Sequence, residues 1–108
     1  MTRTERFSGW APEALDFYER LAADNRRDFW LEHKPTWEAE VRHPFQLLDD
    51  EVREEFGPLH HFRPNRDVRF SKDKSPYKLH QGAVTEGEGG SIFYVHLDAE
   101  GLFVASGY

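Results

Sequence analysis

Six cations crowd into residues 63–80: Arg63, Arg66, Arg69, Lys72, Lys74 and Lys78. Two carboxylates, Asp67 and Asp73, lie among them, so the stretch carries a net charge of +4. The other residues hold eight cations against eighteen acids, a net charge of −10. A concentrated basic patch on an acidic chain focuses potential on an anion. Arginine offers a planar fork that matches phosphate or carboxylate, and lysine a point charge. Arg63, Arg66, Arg69, Lys72 and Lys74 are therefore the candidate ligand-binding residues. Asp67 and Asp73 either orient these cations, or one of them binds a metal or serves as a base beside a bound phosphate. Tyr77 follows directly and is placed to stack on a ring or donate a hydrogen bond. These three are the candidate catalytic residues. The competing reading is a salt-bridge web that ties the loop down, in which removal of a buried partner strands a charge at a cost of about 3–5 kcal/mol.

Other groups suggest less. The chain has no cysteine, which excludes disulfides, thiol nucleophiles and cysteine-ligated zinc. His60 and His61 are adjacent and point apart. His80 and His96 would reach a common metal only across neighbouring strands, and ordinary strand positions are the plainer reading. The acidic run Asp49, Asp50, Glu51, Glu54 and Glu55 reads as a solvated helix face. No metal site and no cofactor is assigned. The glycine-rich stretch 86–91 lacks the phosphate-loop pattern and reads as a turn. A net charge of −6 counts against nucleic acid as the main partner.

The elements that must position these groups follow from periodicity. With 108 residues the chain is one small domain. Pro12 opens a helix whose apolar positions are Ala14, Leu15, Phe17, Tyr18, Leu21 and Ala22, and Asp24-Asn25 ends it. Asn25 is expected to cap the next helix, with Phe29, Trp30 and His33 inward. Pro35 and Pro44 are expected to break or kink it, because neither has an amide proton to donate. Phe45, Leu48, Val52 and Phe56 form a further stripe, stopped by Gly57-Pro58. Residues 8–57 are thus the helical part. Leu79 to Val84 reads as a strand, and Ile92 to Leu97 with Leu102 to Ala105 as a hairpin within 91–108. The fold class is α+β, with N-terminal helices on a small, mainly antiparallel sheet formed by the C-terminal half. The last strand leaves a sheet edge that something must cover, so the chain is expected to be part of a larger domain or to self-associate through that edge. No apolar stretch approaches the ~20 residues of a membrane span, and no secretory pattern opens the chain, so a cytoplasmic location is expected.

Arg63, Arg66, Asp67, Arg69, Phe70, Asp73, Lys74 and Tyr77 together resemble the signature of an uncharacterised bacterial and fungal family, the domain of unknown function 2461. The resemblance extends to Phe7-Ser8-Gly9, to Asn25-Arg26-Arg27-Asp28-Phe29-Trp30 and to the two closing strands. Members of that family are longer, so the resemblance implies that this chain is its N-terminal half. Pro35 departs from the family pattern. The family has no established activity, so the resemblance points to the place of a site and not to its chemistry. The leading functional expectation is binding of a phosphate-bearing or other anionic small molecule at the basic segment, with hydrolysis as an extension. The alternative is a non-catalytic interaction or structural module whose basic segment forms internal salt bridges or docks an acidic partner.

Overall fold

The computed structural model describes residues 6–85 and 92–107. Helix α1 spans Pro12–Ala23, with Pro12 in its first turn as the sequence implies. Helix α2 spans Arg27–Trp37, a π-helical turn covers Glu38–Arg42, and α3 spans His43–Phe56. The expected breaks at the two prolines do not occur. The chain stays helical from Arg27 to Phe56, with Pro35 inside α2 and Pro44 in the first turn of α3. The helix widens just before Pro44: the His43 N–H reaches back to the Glu38 carbonyl, a π-type bond.

Asn25 does not cap α2. Arg26 takes that position without a capping side-chain hydrogen bond, and the Asn25 amide is used elsewhere. Gly57, at φ 81°, ends α3.

Four strands follow: β1 (Leu59–His61), β2 (His80–Thr85), β3 (Ile92–Asp98) and β4 (Gly101–Gly107). They form one antiparallel meander in the order β1-β2-β3-β4. The fold is α+β, as expected. β1 is an addition to the sequence reading, since three residues are too few to show alternation. The expected turn at 86–91 lies outside the described residues. The β3–β4 turn is tighter than the four residues expected: Asp98 pairs with Gly101, whose φ of 129° suits glycine.

The helices pack on one face of the sheet. Phe17, Tyr18, Leu21, Val41, Phe45 and Leu97 are the largest fully buried side chains of the resulting core. Burial pushes the Tyr18 hydroxyl well above the usual phenol range. Trp10 donates its indole N–H to the Val41 carbonyl (3.2 Å) and sets its ring edge-on to Phe45 (4.7 Å). Asp49, in the acidic run, accepts from the Leu59 N–H (2.8 Å) and from Arg53 (2.7 Å), tying α3 to β1.

Candidate anion-binding site

The signature segment is the long connection between β1 and β2, folded back on itself. The Arg66 N–H donates to Pro76 O (2.9 Å), and the Lys78 N–H to Pro64 O (2.8 Å). A β-bridge pairs Asn65 with Tyr77. The arch is pinned to the helical layer at Tyr77, whose ring stacks on Trp30 (centroids 4.5 Å apart, planes 15° apart). Tyr77 is therefore a packing residue, 6% exposed, and the phenol suggested for catalysis is tucked into the core.

The structure separates the residues that the sequence groups together. Arg69 is bound to Asp67 by two guanidinium contacts (2.9 and 3.1 Å) on the open surface. That hydrogen bond holds the Asp67 carboxyl below its usual range. Lys74 donates to the Val68 carbonyl (2.6 Å), and Lys72 is exposed. Asp73 accepts from the Ser75 hydroxyl and N–H (2.6 and 2.9 Å), and these bonds, assisted by Arg66, lower its pKa. Arg66 donates to Ser75 O (3.0 Å) and stands 3.2 Å from Asp73. Both acids are exposed, so each orders the arch without being a buried partner. Phe70, within the signature, is 95% exposed.

Two clefts border the arch. One, of about 320 Å³, runs between Asn25 and the segment Ser75 to His80, with Arg66 and Asp73 on its wall. Asn25, Arg66, Asp73 and Ser75 are engaged with the arch itself, while the Lys78 ammonium lies over the Phe62 ring (5.7 Å) and His80 stacks on His96. The second, of about 270 Å³, lies where the arch leaves β1 and meets the helical layer. Its walls are Trp37, Phe45, Phe62 and Pro64, and its polar groups are Arg42, Arg63, His61 and Gln81. Neither Arg42 nor Arg63 has a hydrogen-bond or ion-pair partner among the described residues. The imidazole of His61 is held below its usual pKa, first by burial and then by the charge of Arg42, with Asp49 opposing. The neutral imidazole leaves the two guanidinia as the formal charges on this cleft. Gln81, on its floor, donates to the carbonyls of Phe62 (2.6 Å) and Gly82 (3.0 Å).

Of the five expected ligand residues, Arg63 thus lines one cleft and Arg66 the other. Sequence reasoning passed over Arg42, His61 and Asn25. Arg42 closes the π-helical turn, and a proline two residues later was the available signal.

The face of the sheet opposite the helices carries a second polar array. Tyr94, His96 and Asp98 alternate along β3, with Tyr94 Oη 3.0 Å from His96 Nδ1 and His96 Nε2 3.0 Å from Asp98. His80 stacks on His96 (centroids 4.5 Å, planes 14° apart). Stacked imidazoles direct their in-plane lone pairs side by side, so this pair does not converge on a shared metal. Burial, then His96 and Lys78, depress the His80 pKa.

Residues 13–108 match the model of the family described as "Conserved hypothetical protein (DUF2461)". Comparisons with curated proteins and with solved structures found no match. With nearly its whole length matched, including the arch and both clefts, the chain belongs to the conserved family DUF2461.

Proposed function

We propose that the chain binds a small molecule bearing a carboxylate or phosphate on a flat, apolar body, held in the Arg42–Arg63 cleft. One observation carries this reading: two guanidinia without partners line one cavity, while Arg66, Arg69 and Lys74 are engaged within the arch. Unpaired guanidinium forks suit a bidentate oxyanion. The walls of Trp37, Phe45 and Phe62 favour an apolar or ring-bearing body over a bare ion. Hydrolysis would draw on His61, the imidazole at this cleft, since Asp67 and Asp73 are committed to the arch.

A second reading rests on those same commitments. An arch braced by Arg66–Asp73, Arg69–Asp67 and Lys74–Val68 is what a non-catalytic scaffold requires. Calorimetric titration with inorganic phosphate, benzoate and phenyl phosphate separates the two. Binding of the aromatic anions, weakened at least tenfold by Arg63→Ala and by Arg42→Ala, is the expected result. No heat with any of the three at millimolar concentration favours the scaffold.

A further inference from the structure

Among the described residues strand β4 is an edge of the sheet, and nothing within the strand itself blunts that edge. Edge strands in soluble proteins are ordinarily blunted by charge, proline or a bulge. From Gly101 to Gly107 β4 has neither charge nor proline, and it pairs with β3 without interruption. Leu102, Phe103 and Val104 are 54%, 59% and 57% exposed. Leu102 and Val104 also rim an apolar groove of about 240 Å³ on the helix side, shared with Val52, Phe56, Phe93 and Val95.

We infer that β4 pairs with β4 of a second copy, antiparallel, about a two-fold axis at Val104. The strand is its own size complement. Its large residues lie in the first half and its small ones in the second: Gly-Leu-Phe-Val-Ala-Ser-Gly. Antiparallel self-pairing centred on Val104 sets Leu102 against Ser106, Phe103 against Ala105 and glycine against glycine. Each bulky side chain meets a small one, and the two valines meet at the axis. No charged residue enters the seam, so the net charge of −6 is not brought face to face there. A charged peptide or an anionic lipid surface would find no counter-charge on the strand.

The axis stands perpendicular to the sheet, so both helical layers lie on one side of an eight-stranded sheet. Leu102 and Val104 of the two copies then join the two apolar grooves into one covered strip. The interface is isologous and closes at two copies.

The chain lacks cysteine, which makes a single introduced thiol an unambiguous reporter. In this register the residues at the axis stand ~4.5–5.5 Å apart, within disulfide range. Val104→Cys is expected to oxidise to a covalent dimer at micromolar concentration, whereas Leu31→Cys, on the exposed face of α2, does not. Sedimentation velocity is expected to show a concentration-dependent dimer for the unmodified chain. Val104→Lys and Val104→Glu should each weaken it at least tenfold, and an equimolar mixture of the two should restore it. Circular dichroism of each variant reports whether it is folded. A monomer at about 200 µM, a dimer indifferent to both charges, or equal crosslinking at Leu31 and Val104 would each overturn the inference.

Discussion

The side-chain amide of Asn25 brackets the backbone of Tyr77: its Nδ2 donates to Tyr77 O (2.9 Å) and its Oδ1 accepts from the Tyr77 N–H (3.2 Å). One side chain thus imitates a neighbouring strand and joins the α1–α2 turn to the arch, 52 residues away in sequence. Asn25→Ala leaves a partly buried donor and acceptor unpaired and is expected to cost about 1–3 kcal/mol. Asn25→Asp should be no better, because a carboxylate cannot donate to the carbonyl. Urea unfolding monitored by tryptophan fluorescence measures both. Asp67→Ala, at an exposed pair, should leave the midpoint close to that of the unmodified chain.

Removal of one cleft guanidinium should weaken binding without weakening the fold. The side chains of Arg42 and Arg63 are exposed and have no hydrogen-bond or ion-pair partner to lose among the described residues, so the melting temperatures of Arg42→Ala and Arg63→Ala should stay within about 2 °C of the parent. Each charged hydrogen bond to an anion contributes about 1.5–3 kcal/mol, or roughly ten- to a hundredfold in affinity for phenyl phosphate. Calorimetry and thermal melting on the same samples check both halves.

Affinity for benzoate, which stays ionised over the range used, should also rise as the pH falls. The imidazole of His61 is kept neutral by burial and by Arg42. An anion in the cleft favours the protonated ring, so binding takes up a proton as the pH falls through 6.5 toward the lowered pKa. Titrations between pH 8 and pH 5.5 should show this slope, and His61→Gln should flatten it.

Stability without ligand should move the other way. His61 and His80 both titrate below the ordinary histidine value in the folded chain. The unfolded chain therefore binds protons first, at about pH 6.5. Native stability is full above that value and declines as the pH falls below it toward the folded pKa values. Melting temperatures across pH 8 to pH 5.5 should fall, and His80→Gln should reduce the fall.

Gly82 sits beneath a ring. A Cβ there would meet Tyr94 Oη at 3.0 Å and carbons of Phe62 and Tyr94 at 3.2 Å. Gly82→Ala should destabilise by about 1–3 kcal/mol through overpacking. Tyr94→Phe removes the nearest of those atoms, so the double variant should be less unstable than the sum of the two singles. Chemical denaturation of all four proteins closes the cycle.

The sequence made the α+β order legible because its two periods are clean: Phe17, Tyr18 and Leu21 recur at helical spacing, and Tyr94, His96 and Asp98 alternate along a strand. It misjudged the prolines: Pro35 stays inside α2, and Pro44 follows a π turn that leaves no periodic trace. The basic segment was legible as a place and not as a constellation. Asp67 and Asp73 sit two residues before Arg69 and Ser75, and they fold the arch by short-range bonds that split Arg63 from Arg66. Arg42 comes from another element, and no spacing within the segment could point to it.

The π turn at Glu38–Arg42 also fixes the phase of everything after it. In a regular α-helix, residues eight apart stand about 80° out of phase, and residues seven apart only about 20°. Trp37 and Phe45 are eight apart, yet both are buried and both wall the same cleft. The wide turn hides one residue from the count. In effect it is an insertion that the helix has absorbed, and a chain lacking one residue here, such as the exposed Ala39, would keep both aromatics on the core in an ordinary helix. The same loss in the middle of α3 would swing its following apolar stripe by about 100°. Removal of one residue should therefore be tolerated at this turn and disruptive in the middle of α3.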